Sequence, residues 1–195
     1  LLAPAPRSIG SSAASEPDKV LQTDLIDLYQ NAVSAFGARY ALLLIDVYTR
    51  EIAAELLVTK NPTEVNRALQ DAMGSLISRN SNFVITTDNG GEWQQINSAL
   101  PPNAVHRLKQ GPNDISIVDR AMQTLKRDVA SIIARKGGKW DVALQPAIAA
   151  YNERPHTAVF GPPEDVDKED AQDFLVLRKN AKAFTQNHAN TIRRK

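Results

Sequence analysis

Three aspartates have the side chain and the placement that chemistry on a phosphate would need. Asp88 ends the apolar run Phe83-Val84-Ile85-Thr86-Thr87, and Asn89-Gly90-Gly91 then turns the chain. A carboxylate at the tip of a buried strand is fixed by a rigid scaffold yet reaches solvent. The plainer role for such a residue is to terminate a turn. Asp24 lies in the middle of the strand-like segment from Val20 to Leu28, and Asp119 falls in the first turn of a helix expected to start near Ile115. If strands one and four are neighbours, that helix can lay its first turn across their ends and gather all three. Gathered carboxylates repel one another and need divalent cations between them. Oxygen-only ligation selects Mg²⁺ or Mn²⁺ over zinc. Two such ions about 3.5–4 Å apart can activate a water or hydroxyl and stabilise the leaving oxygen of a phosphodiester.

The elements that must position these residues follow from the hydropathy pattern. Tyr40 to Val47 is apolar almost throughout, as a central strand covered on both faces would be. Tyr48-Thr49-Arg50 is a short turn, and Glu51 to Leu57 supplies a third strand, so the first three strands form an antiparallel meander. Asn61 and Glu64 make a capping-box pattern with Pro62 at the first helical position. Val65, Leu69, Ala72, Met73, Leu76 and Ile77 then share one helical face. Phe83 to Thr87 is strand four, and Ala104 to Leu108 is a short strand five. Beyond Gly111-Pro112, Val118, Met122, Leu125, Val129, Ile132 and Ile133 form the stripe of a long helix ended by Gly137-Gly138. A last core helix runs from Trp140 to Tyr151, with a kink expected at Pro146. The expected fold is α/β: a mixed five-stranded sheet in the order βββ-α-β-α-β-α-α, flanked by helices.

Composition sets the outer bounds. The chain has 195 residues, enough for one domain with tails, and 43% hydrophobic content, enough for a core without staples. It has no cysteine, which removes disulfides, thiolate nucleophiles and cysteine-based zinc sites; three histidines make a histidine-only zinc site a poor alternative. A net charge of +1 gives no global field for a polyanion, so DNA would have to be met by local patches or through bound cations. No apolar run reaches the roughly 18–20 residues of a membrane span. Residues 1–19, rich in Pro, Ser and Ala, read as an extended amino-terminal arm; opening on leucine, the chain reads as a fragment or a processed product. Residues 20–165 form the core. Residues 166–195 form a charged carboxy-terminal extension, acidic up to Asp173 and carrying six Lys or Arg after it. Phe174, Leu175, Leu177 and Phe184 suggest that part of this extension packs against something.

The ordered motifs resemble the catalytic core of retroviral and retrotransposon integrases, a branch of the ribonuclease H-like superfamily. They are Leu21-Gln22-Thr23-Asp24-Leu25, Leu44-Ile45-Asp46-Val47-Tyr48-Thr49-Arg50, Thr87-Asp88-Asn89-Gly90-Gly91-Glu92-Trp93, Ile117-Val118-Asp119-Arg120, Tyr151-Asn152-Glu153-Arg154-Pro155-His156 and Pro162-Pro163-Glu164. The resemblance implies that Asp24, Asp88 and Asp119 are the catalytic, metal-ligating residues, holding two Mg²⁺ or Mn²⁺ ions. It also implies that Gln123, Lys126 and Arg127, on the exposed side of the long helix, contact DNA; a solvated basic face is the alternative for those three. The third ligand departs from the family pattern, which has a glutamate there, slightly further along the chain. Here Asp119 follows Asp88 after thirty intervening residues, and its carboxylate is withdrawn by about 1.5 Å, one carbon–carbon bond.

The remaining polar residues have structural readings beside the functional ones. Asp27 is an alternative to Asp24 as first ligand. Asp46 caps the turn toward Arg50, Glu92 favours a helix start, and His106 and His156 are structural, with His156 also placed to approach substrate.

Two functions are expected from this reading. One is an integrase-like core for metal-dependent phosphodiester cleavage and DNA strand transfer, with DNA and further copies of the chain as partners and the nucleus as its place. The other is a domesticated, catalytically inactive integrase fold. It would be a structural or protein-binding subunit of a larger complex, with an organelle as one place for it, meeting other chains through the amino-terminal arm and the carboxy-terminal extension. A ribonuclease H-like nuclease without strand transfer is a third.

Overall fold

The structure is a computed structural model describing residues 12–27, 34–77, 82–111 and 113–192. Residues 1–11 of the expected arm, Leu28 of the expected first strand and residues 193–195 of the extension lie outside these. The described elements are β1 (Val20–Asp27), β2 (Tyr40–Asp46), β3 (Ile52–Leu57), α1 (Pro62–Leu76), β4 (Val84–Thr87), β5 (Val105–Leu108), α2 (Ser116–Lys136), α3 (Trp140–Glu153) and α4 (Asp170–Ile192). Short 3-10 turns cover Gly91–Trp93, Ile96–Ser98 and Pro163–Asp165.

The sheet has the order β3-β2-β1-β4-β5. β1, β2 and β3 pair antiparallel, as short turns between successive strands require, whereas β4 and β5 add parallel to β1 after crossover connections. Strand alternation divides the core in two. Leu43 and Ile45 of β2 pack with Val118 and Leu125 of α2 and with Trp140, Leu144 and Tyr151 of α3. Leu42 and Leu44, one residue out of phase, pack on the opposite face with Val65 and Leu69 of α1, Phe83, Ile85 and Trp93. The near-continuous apolar run of β2 is therefore the mark of a strand buried on both sides.

Local polar contacts lock these layers. Asn61 Oδ1 accepts from the Thr63 N–H at 2.9 Å and caps α1. Glu64 completes no capping box; it reaches back to the N–H groups of Val58 and Thr59 at 2.7 and 3.0 Å and fixes the β3–α1 loop. Asn152 of α3 exchanges both hydrogen bonds with the Ile52 backbone, at 3.0 and 2.9 Å, and so occupies peptide groups of the edge strand β3. α3 continues through Pro146 without ending.

The segment after residue 11 and α4 meet on a third, smaller cluster of Ala14, Val47, Tyr48, Val159, Val166 and Val176. Asn180 Nδ2 donates to the Ala14 carbonyl at 3.0 Å, and Tyr48 Oη donates to Asp173 Oδ1 at 2.7 Å. The inward-facing side chains of α4 are thus Gln172, Val176 and Asn180. The four apolar residues expected to pack against something are exposed on this chain: Phe174 is 61% exposed, Phe184 45%, Leu177 44% and Leu175 39%. At 3.6 residues per turn, positions 172, 176 and 180 form one stripe; Phe174 falls off it, and Phe184 continues the row beyond the packed cluster.

Candidate metal and phosphodiester site

β1 and β4 run parallel with Gln22 opposite Thr86. Asp24 is two residues beyond Gln22 and Asp88 two beyond Thr86. With a side-chain period of two, Gln22 and Asp24 leave the sheet on the same side, and Asp88 follows directly on the last residue of β4. That side carries α2, and the tie to α2 is direct. Gln22 Oε1 accepts from the N–H groups of Ile117 and Val118 at 3.2 and 3.1 Å, while its Nε2 donates to the Asp114 carbonyl at 2.7 Å. The first turn of α2 has unfilled N–H groups, and no side chain at its own N-cap supplies an acceptor. The β1 glutamine does so, and this brings Asp119, in that same turn, over the ends of β1 and β4.

Two of the three aspartates are anchored by hydrogen bonds. Asp24 Oδ1 accepts from the Leu25 N–H at 2.7 Å. Asp88 Oδ1 accepts from Trp93 Nε1 at 2.8 Å and from the Gly90 N–H at 3.0 Å. Trp93 is buried, so Asp88 is set by core packing through an indole. Thr87, just before it, bridges to His106 Nε2 of β5 at 2.9 Å, which is a structural role for that histidine. Asp119 is half-buried.

The three carboxylates share one electrostatic environment. Burial raises the Asp24 pKa to about 6; its own hydrogen bond to Leu25 opposes this, and the charges of Asp88 and Asp119 reinforce it. The Asp119 pKa is also raised, first by burial and also by Asp88. Lys109, which follows β5, lowers both and supplies part of the countercharge. The donor set is all oxygen, the kind a hard divalent cation takes. Its geometry is open: among the described residues, no group of three or more His, Cys, Asp or Glu side chains is arranged to hold a metal ion.

The other sequence candidates fall elsewhere. Asp27 is at the exposed end of β1, three residues beyond Asp24 and away from Asp88. Glu92 sits in the 3-10 turn after Asp88. Asp46 caps the β2–β3 turn, accepting from Tyr48 N–H at 2.6 Å and from Asp18 N–H at 2.7 Å. Gln123, Lys126 and Arg127 are exposed on α2, with Gln123 and Lys126 following Asp119 along its face and Arg127 to one side. Sequence reasoning missed Gln22, Trp93 and Lys109. Gln22 had a readable signal, since a polar residue two before Asp24 in a buried strand shares its face. Lys109 had none, because only the parallel addition of β5 brings it near.

No family model matches the sequence. Solved structures do. The chain superposes on a protein of the simian T-cell lymphotropic virus intasome, a complex with PP2A regulatory subunit B56 gamma, with a TM-score of 0.69 and 18% identity. That match covers 82% of this chain and 57% of the other. The HTLV-2 integrase catalytic core domain, solved with magnesium, matches with a TM-score of 0.61 and 14% identity over 77% of this chain and 96% of that one. The BIV integrase catalytic core domain gives 0.59 and 15% over 80% and 97%. The fold is an integrase-type, ribonuclease H-like core. In sequence, the integrase-type core is 28% identical over 138 residues to a transposon-derived protein of Caenorhabditis elegans. That stretch is 69% of this chain, and the chain spans about half (48%) of that relative's length.

Proposed function

We propose that this integrase-type core acts on nucleic-acid phosphodiesters with a divalent cation, cleaving DNA and transferring strands. The observation that supports this most is the electrostatic coupling of Asp24, Asp88 and Asp119 across β1, β4 and α2, with Asp24 raised to about 6. Burying like charges together is costly for a fold unless a cation offsets them. Asp24, Asp88 and Asp119 would hold Mg²⁺ or Mn²⁺, which when bound polarises a phosphoryl oxygen and activates the attacking hydroxyl or water. The chain's own part is positional. Trp93 and Gly90 orient Asp88, Gln22 holds the α2 turn that carries Asp119, and Lys109 favours the ionised carboxylates. Gln123, Lys126 and Arg127 would meet backbone phosphates along α2. Replacing Lys126 and Arg127 by Ala should then lower DNA affinity and reduce the salt slope by about 2.

The domesticated, protein-binding reading has two observations in its favour. The triad is open among the described residues, and α4 presents Phe174, Leu175, Leu177, Phe184 and Ile192 to solvent. A Mg²⁺- or Mn²⁺-dependent nicking and strand-transfer assay with an Asp88→Asn control separates the two. Metal-dependent activity abolished by that change supports the enzyme. Activity unchanged by it overturns the mechanism, and no activity in either metal leaves the structural subunit as the function.

A further inference from the structure

Away from the carboxylates, on another face of α2, lies a cavity of about 460 Å³ between α2, the loop after α3, and α4. Its wall carries Arg50, Arg120 and Lys179, together with His156, Thr124 and Thr157. No carboxylate lines it among the described residues. Glu51, next to Arg50 in sequence, is not in the wall, and Asp46, whose charge does reach Arg50, is committed to the N–H groups of Asp18 and Tyr48.

Arg50 is in a conformation that argines rarely adopt, since its φ of 68° closes the β2–β3 turn where glycine is the usual occupant. Its Nε and Nη1 are buried and have no hydrogen-bond partner among the described residues; His156 Nε2 is in the same condition. Buried unpaired donors are costly, and a guanidinium more so than most. Lys179 reaches the Ala158 carbonyl and lies 5.7 Å from the centre of the Phe160 ring, which holds its ammonium at the cavity. Burial, and to a lesser degree a neighbouring cation's charge, disfavours the charged forms of Arg50 and Lys179. Burial brings the Arg50 pKa down to about 10 with Arg120 acting in the same direction, against the opposing pull of Tyr151 and Asp46. Burial and then Arg50 lower that of Lys179.

We infer that this cavity binds a phosphate group carried on a larger molecule. Three cations without an acid call for a multiply charged anion, and a planar guanidinium beside an ammonium and rotatable hydroxyls suits tetrahedral phosphate oxygens. The volume is many times the roughly 30 Å³ share of one water and falls in the range of small-ligand pockets. Phosphate can arrive on a free phosphomonoester or as a backbone phosphodiester, and the two sources are separable.

The test is calorimetric titration of the full chain with inorganic phosphate, AMP and a short DNA duplex, in EDTA so that the carboxylates hold no metal. The variant is Arg120→Gln/Lys179→Gln, whose two positions are exposed and whose circular dichroism should match wild type. Saturable phosphate binding, weakened about tenfold or more in the variant, is the expected result. AMP binding tighter than phosphate assigns a free phosphomonoester, whereas competition by duplex but not by AMP assigns a backbone phosphate; either supports the site. Arg50→Gln, if it folds, should lose binding further. Heats no greater than those of chloride at equal ionic strength, or an unchanged affinity in the double variant, would overturn the inference.

Discussion

α2 separates two regions of opposite, uncompensated charge. At the ends of β1 and β4, the charges of Asp24, Asp88 and Asp119 act on one another, with Lys109 the offsetting cation that acts on Asp24 and Asp119 among the described residues. On the cavity side, Arg50, Arg120 and Lys179 gather with no acid in the wall. The net charge of +1 conceals this, because the two excesses cancel in the sum. Two of the carboxylates, Asp24 and Asp88, are held by hydrogen bonds from Leu25, Trp93 and Gly90. Arg50, in contrast, retains unpaired nitrogens. One region is prepared by its neighbours; the other is left incomplete by them.

The comparison is broken most forcefully at Asp88. If the carboxylate edge is a metal-dependent site, Asp88→Asn should lower Mn²⁺-dependent DNA nicking by about 100-fold or more. Trp93→Phe, which keeps the core filled but removes the Nε1 donor, should cost about tenfold with little change in melting temperature. Activity assays on both variants check the order.

Stability should move in the opposite direction from activity. The folded-state pKa of Asp24 lies above its unfolded value of 3.8, at about 6. The native state therefore binds more protons than the unfolded chain between pH 4 and 6, and this group's contribution to stability declines as pH rises through that window. Above it the penalty is constant, and Asp24→Asn should stabilise the metal-free protein at pH 7.5 by about 1–3 kcal/mol. Urea unfolding at pH 4 and pH 7.5 measures it; an equal effect at both values would refute the assignment. Gln22→Leu should destabilise by about 1–3 kcal/mol, because the Ile117 and Val118 N–H groups lose their acceptor. The smallest effect sharpens the contrast between the regions: Lys179→Gln should leave Mn²⁺ affinity within about twofold, since α2 lies between it and the carboxylates.

Much of this arrangement was legible in the residues. The continuous apolar run of β2, the capping asparagine at 61 and the long α2 stripe each had one physical reading, and the β1–β2–β3 meander followed from short links. Placing Asp24 beside Asp88 needed only parallel pairing of β1 with β4. What the chain did not disclose depends on contacts distant in sequence. Lys109 approaches the carboxylates only because β5 adds beside β4. Arg50 looked like an ordinary turn residue, and its cavity exists only once α4 folds back over Tyr48 and Val159. The face that α4 packs inward was not readable, because the packed stripe is Gln172, Val176 and Asn180. Two of those three are polar, so hydrophobicity alone points to the wrong face.

The central claim is that the ends of β1, β4 and α2 form a cation site. Direct Mn²⁺ titration of the full chain, followed by electron paramagnetic resonance, tests it in wild type and in Asp88→Asn. The account expects saturable binding that is lost or weakened at least about tenfold in the variant. Equal Mn²⁺ binding by both proteins would contradict it.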